Sequence, residues 1–307
     1  MSPSSNILTG GASPTFVTRW WRAIRPHSLG TAVAPVLLAG GVAVHDGPVR
    51  PLAFALALVG VALLLIGVNL GNDYFDFRSG ADPPIGVGPR PLQAGLLSPR
   101  WFLIGSLAAF AIGGGIGVFL ALSSPREILL LGLAGAALGF FYTAPPFRFG
   151  YRGLGEVVVF LLLGPGATLG AYLVTAGRFA PLPLLASIPI GLVVAALLHA
   201  NNLRDLDDDA RSGKRTLAVR LGPRWATREF AALIWAAEVA VAGLAVAVTP
   251  FAALGLLTLP WAWQLAGNAG PGLERGRKLM RGTASLHLRL AVLLAIGFSL
   301  SALGSRL

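Results

Sequence analysis

The chain has 307 residues, 55% of them hydrophobic and 12% charged, with no cysteine and a mean hydropathy of +0.72. Soluble domains carry about 25% charged residues, so this composition suits a bilayer, and the lack of cysteine excludes disulfides, a thiolate nucleophile and a thiolate-held metal. A formal net charge of +11 arises from 24 Lys and Arg against 13 Asp and Glu. Its meaning depends on where those residues fall along the apolar pattern.

Residues 1–18 are rich in Ser, Thr, Gly and Pro without helical periodicity and read as a disordered tail. Residues 19–307 read as a single membrane domain, because no later linker is long enough to separate soluble domains. No cleavable signal is expected, since the first apolar run follows Arg19, Arg22 and Arg25 and is itself long enough to span. Apolar runs bounded by polar residues, Pro or Gly then fall at roughly 28–45, 52–72, 101–121, 128–146, 154–176, 181–201, 229–249, 251–267 and 285–304, each near the ~20 residues that cross a bilayer. The run at 251–267 is the weakest of them. The predicted fold is all-α and polytopic, with about nine transmembrane helices.

With the N-terminus inside, the outer side carries only Arg50, Arg126, Arg178 and Arg306, Arg289 lies within the last run, and every other Lys and Arg is on the inner side. Such a bias fits a multi-pass protein of the cell membrane with a cytoplasmic N-terminus. The positive charge then reports topology and attracts anionic headgroups or a phosphorylated ligand, and nucleic-acid binding is not expected.

The acids are concentrated in two places. Asp73, Asp76 and Asp82 follow the second run, where Asn72 and Asp76 are one helical turn apart and Gly80 permits a bend that brings Asp82 back. Beyond the sixth run, Asn201, Asp205 and Asp209 recur every four residues and predict one polar stripe on a continuing helix. Carboxylates at this spacing repel each other and are costly beside a membrane, and a divalent cation relieves both costs. Mg²⁺ prefers a few carboxylates completed by water and phosphate oxygens, which suits two acidic groups facing a diphosphate. Asp207 and Asp208 lie off the stripe and read as solvated loop acids. Arg90, after Gly88, and Lys214 with Arg215, after Gly213, occupy Gly-containing turns beyond each acidic group, where they can meet phosphate oxygens.

Asn72, Asp76 and Asp82, with Asp205 and Asp209, resemble the N-x-x-x-D and D-x-x-x-D motifs of the UbiA-type superfamily of intramembrane prenyltransferases. Residues 201–217 (NNLRDLDDDARSGKRTL), 25–29 (RPHSL), 88–90 (GPR) and 151–156 (YRGLGE) are similar, more narrowly, to the branch that prenylates 1,4-dihydroxy-2-naphthoate in menaquinone synthesis. The resemblance extends from about Trp20 to the C-terminus, and the segments are specific in combination. It implies a nine-helix bundle around a central cavity that opens to lipid, and a Mg²⁺-bridged diphosphate held by Asn72, Asp76, Asp82, Asn201, Asp205 and Asp209. Asp76, Asp205 and Asp209 would be the catalytic carboxylates, and the substrates a polyprenyl diphosphate and an aromatic acid. The chain departs from the pattern at Pro83, Pro84 and Ile85, where a charged stretch is expected in relatives.

An allylic cation needs a dry, electron-rich cavity, and Phe141, Tyr142, Phe147 and Tyr151 cluster where they can supply one or form an interfacial aromatic belt. His199 is placed either to orient or deprotonate the acceptor hydroxyl or to serve as a satisfied polar helix residue, and His27 to contact the acceptor. Glu156 needs a partner inside its span, and Arg152 lies one turn before it. A secondary transporter is the alternative from another class, but it predicts charge spread along a pathway. A CDP-alcohol phosphatidyltransferase is echoed only superficially at 209–213, and another phenolic acceptor is the alternative within the superfamily.

Overall fold

A computed structural model describes residues 15–80, 92, 95 and 97–304, so Asp82 and Arg90 lie outside the described residues. Helix α1 (Phe16–Ala23) begins inside the stretch expected to be a tail, because the Thr15 hydroxyl caps it by accepting from the Thr18 amide at 3.3 Å. Phe16, Val17 and Trp21 are exposed beside Arg19 and Arg22, the pattern of a helix lying in the membrane interface. A single turn, Pro26–Ser28, leads into α2 (Gly30–Asp46).

Helix α3 (Pro51–Ser79) starts on a proline, whose missing amide costs nothing at that position, and stops at Gly80, whose φ of 67° favours a residue without a Cβ. Helix α4 (Pro99–Ala121) starts in the same way, and α5 (Glu127–Phe140) follows. The fourth apolar run was expected to continue to 146, but the helix ends earlier and residues 141–152 form the turns that carry Tyr142 and Tyr151. Helix α6 (Gly155–Leu161) passes through a π turn at Leu162–Gly166, where Pro165 has no amide to donate, into α7 (Ala167–Ala176). Then come α8 (Leu182–Arg204), the short α9 (Leu206–Arg211) and α10 (Leu217–Ala247), which is interrupted at Gly222 before Pro223. The run at 251–267 is a 3-10 stretch, Pro250–Thr258, continued by α11 (Leu259–Gly267), and α12 (Leu273–Gly304) closes the chain.

Among the described residues all regular structure is helical. Six helices among the described residues, α3, α4, α8, α10 and α12, and α6 with α7 taken as one, are long and apolar enough to cross a bilayer, while α2 and α5 are shorter apolar helices. Helices α10 and α12 start before their apolar runs, since hydropathy registers only the lipid-facing length of a helix that continues into polar sequence.

Fully buried Leu38 of α2, Ile190 of α8, Ile234 of α10 and Leu290 of α12 belong to one core. Lipid is as apolar as leucine, so close packing through small residues, rather than escape from water, holds such helices together. Gly41 illustrates this: a Cβ there would lie 2.5 Å from backbone atoms of Ala295, so α2 and α12 touch at that level. Gly41→Val should force them apart and cost about 1–3 kcal/mol, read as a lower thermal midpoint in detergent. A variant melting with the parent would refute the contact. At one end of the bundle Asp46 of α2 accepts from the Tyr172 hydroxyl, Arg178 donates to the Asp46 carbonyl at 2.5 Å, and the Arg50 amide donates to Thr175 O at 2.8 Å. The acidic motifs lie at the C-terminal ends of α3 and α8.

Candidate active site

The two motifs meet around one lysine. Lys214 Nζ lies 3.5 Å from Asp76 Oδ2 and 4.0 Å from Asp209 Oδ1, so a single ammonium stands between the carboxylates contributed by α3 and α9. Tyr151 donates its hydroxyl to Asp76 Oδ1 at 2.6 Å, and Lys214 Nζ sits 4.8 Å from the centre of the same ring. Burial, and then the Asp76 carboxylate, push the Tyr151 phenol well above its ordinary value. It therefore remains a donor throughout the physiological range.

Local structure explains these positions. Lys214 follows Gly213, whose φ of 77° reverses the chain, and its amide donates to Asp209 O at 2.9 Å. The next amide, of Arg215, donates to Tyr151 O at 3.0 Å, which ties the turn after α9 to the turn before α6. Arg215 was expected to meet phosphate; its side chain is exposed. Asn72, one turn before Asp76, accepts from Thr143 Oγ1 at 2.8 Å, and Arg25 pairs with Asp73. Loops on both sides thus fix the end of α3.

The expected continuous stripe is bent. Helix α8 ends at Arg204, Asp205 takes a non-helical conformation (φ −99°, ψ 13°) and α9 follows at a new angle. The four-residue spacing survives in the backbone, because the Asp205 amide donates to Asn201 O at 3.1 Å and the Asp209 amide to Asp205 O at 2.8 Å. The side chains diverge: Asp209 faces Lys214, whereas Arg204 grips Asp205 with Nε at 2.6 Å from Oδ1 and Nη2 at 2.5 Å from Oδ2. Asp205 and Asp209 are both buried, Asp207 is exposed and Asp208 pairs with Arg211, which matches the separation read from helical phase.

Deeper in the bundle, His199 is fully buried with both ring nitrogens engaged, Nδ1 at 2.9 Å from Glu156 Oε1 and Nε2 at 2.9 Å from Ala226 O. Asn202 Nδ2 donates to the same Glu156 oxygen at 2.9 Å. His199 is therefore the satisfied helix residue rather than a group facing an acceptor. The partner of Glu156 is not Arg152, which donates to Pro146 O at 3.2 Å. Tyr142 packs against Gly150 and Gly155, and His27 lies in the turn between α1 and α2. Tyr74, Phe75, Phe140, Phe141 and Phe147 form a run of edge-to-face contacts, with centroids 5.1–5.5 Å apart, and exposed Phe147 then stacks on Phe149. Thr143 and Arg25 carry supporting contacts that no local spacing announces: Arg25 opens the RPHSL segment before the first apolar run, and Thr143 falls inside the fourth.

Carboxylates, an ammonium and a phenol gathered at one end of a membrane bundle form an anion site that can also take a hard cation. The sequence matches the UbiA prenyltransferase family over residues 32–288. It is 36% identical to a 1,4-dihydroxy-2-naphthoate octaprenyltransferase of Mycobacterium tuberculosis, covering 91% of this chain and 97% of that one. It is 32% identical to the enzyme of the same name from Bacillus subtilis, covering 78% of each. The fold superposes on a UbiA homologue from Archaeoglobus fulgidus, solved bound to DMAPP and Mg²⁺, with a TM-score of 0.68 and 16% identity over 92% of this chain and 99% of that one. The chain belongs to the UbiA prenyltransferase family.

Proposed function

We propose that this protein transfers a polyprenyl group from a polyprenyl diphosphate to 1,4-dihydroxy-2-naphthoate, with release of diphosphate and CO₂, in menaquinone biosynthesis. The family match and the naphthoate-prenylating relatives support the reaction. The observation that carries it to this chain is the meeting of Asp76, Asp209 and Lys214 at the joined ends of α3, α8 and α9.

The residues fit a magnesium ion. Two buried or half-buried carboxylates already share one cation, and Asn72 stands a turn away with a further hard oxygen. Among the described residues no three acids or histidines cluster closely enough to hold a metal alone, so water and substrate phosphate oxygens would complete the shell, as Mg²⁺ prefers. Asp76 and Asp209 would hold the ion, with Asn72, Asn201, Asp205 and Asp82 in supporting positions, and when bound it supplies positive charge to the leaving diphosphate. Lys214 adds its own charge at the same place, with Arg90 and Arg215 as further cations of the diphosphate subsite. Tyr151 orients Asp76, and Tyr142 and His27 border the acceptor and prenyl pocket, a central cavity among nine spans with the N-terminus and both acidic motifs cytoplasmic.

The test is incubation of the purified full chain in lipid with Mg²⁺, a polyprenyl diphosphate and a panel of aromatic acids. Prenylated naphthoquinol with CO₂ release is expected, and loss of product on chelation with return on adding Mg²⁺. Prenylation of 4-hydroxybenzoate but not dihydroxynaphthoate would overturn the acceptor, and no product with any acid would overturn the reaction.

A further inference from the structure

Several arginines pair with a carboxylate or a carbonyl: Arg25 with Asp73, Arg204 with Asp205, Arg211 with Asp208, and Arg178 with the Asp46 carbonyl. Arg228 and Arg289 each lie over a Trp ring instead, and of these two only Arg289 falls inside an apolar run. It lies on α12 two turns beyond Arg281, about 12 Å further along the helix axis and inside the apolar run. Its side chain is exposed on the lipid-facing surface, and its neighbour is the face of Trp261 on α11, with the guanidinium carbon 4.5 Å from the ring centre. A long basic side chain at this depth ordinarily snorkels toward the polar end of its helix. Stacking on Trp261 instead holds the charge within the bilayer, where an isolated guanidinium is costly and calls for an anion.

The surroundings form a groove of about 130 Å³ between α11 and α12. Ser285, one turn before Arg289, and Gln264, across the groove, line it with groups that bond to phosphodiester and ester oxygens. Its floor is apolar. Gly282 admits Leu265 so closely that a Cβ would lie 2.5 Å from Leu265 Cδ2, and buried Leu286 continues the surface. The groove leads toward the basic start of α12, where Lys278 and Arg281 follow.

We propose that this groove binds the headgroup of an anionic phospholipid, its phosphate paired with Arg289 beside Trp261 and the first carbons of its acyl chains lying on exposed Val292 and Ile296, further along the same face of α12. A phosphatidylglycerol headgroup carries one net negative charge and matches the single guanidinium in the groove, whereas the zwitterionic phosphatidylcholine brings a quaternary ammonium toward Arg289, Lys278 and Arg281. A polyprenyl diphosphate carries more charge and matches the Asp76–Lys214–Asp209 centre with its metal. The site therefore selects lipid by charge and is separate from the substrate site.

The experiment is native mass spectrometry of the full chain, delipidated in detergent and titrated with phosphatidylglycerol, phosphatidylcholine or a polyprenyl diphosphate. The parent should hold phosphatidylglycerol in preference to phosphatidylcholine, and Arg289→Gln should weaken that binding about five- to tenfold, as expected for one basic residue meeting one phosphate. Ser285→Trp, which fills the groove and keeps Arg289, should weaken it equally, while prenyl transfer in phosphatidylcholine vesicles stays at the parent level in both. Unchanged phosphatidylglycerol affinity in either variant would overturn the proposal. So would equal binding of the two phospholipids by the parent, or an Arg289→Gln defect confined to the polyprenyl diphosphate.

Discussion

Asp76→Asn should lower kcat for prenyl transfer by about 100- to 1000-fold, the loss typical when one preorganised group facing developing charge is removed. The substitution is nearly isosteric, and the amide oxygen still accepts from the Tyr151 hydroxyl, which now donates at 2.6 Å. What disappears is the negative charge facing Lys214 at 3.5 Å, and with it the charge available to a metal. The fold should survive, because α3 is also fixed by the Arg25–Asp73 pair and by Thr143 on Asn72. Single-turnover rates at saturating polyprenyl diphosphate, alongside a thermal melt, separate the two effects. A folded variant turning over within a few-fold of the parent would remove Asp76 from the site.

Glu156→Leu should act on stability first. The carboxylate accepts from His199 and Asn202 through one oxygen, and both donors are buried. A leucine of similar volume leaves two donors without an acceptor in a medium with no water to replace it, a cost of roughly 2–5 kcal/mol. Glu156→Gln keeps an oxygen in place and should lose less. Activity should follow, since Asn202 adjoins Asn201 and the bend at Asp205, so a shift of α8 displaces the second motif. Melting curves in detergent for the Leu and Gln variants check the order, and a Leu variant that melts with the parent would show the network to be dispensable.

Those two sites differ in how far they could be read from sequence. Asp76, Asp209 and Lys214 were legible because each lies just beyond an apolar run, at helical spacing from an Asn or after a glycine, and such local patterns survive folding. The six long apolar helices were legible for a related reason: a bilayer imposes a length on apolar sequence. The partners of Glu156 were not, since Arg152 has the local spacing of a helical pair while His199 and Asn202 come from another helix, through packing that no period encodes. The bend at Asp205 was hidden because its backbone hydrogen bonds keep the helical four-residue step while the side chains turn apart. The end of α5 at Phe140 was obscured by apolar residues that continue past it in the turns around Tyr142.

Lys214 has a consequence for the interval between turnovers. In the proposed reaction, once diphosphate and metal had left, two carboxylates on separate helices would face each other near a membrane, and their repulsion would drive the ends of α3 and α9 apart. A tethered ammonium already lies between them, within 4.0 Å of both. The site would then keep a counterion that cannot diffuse away, and the helix ends would stay in register to receive the next substrate.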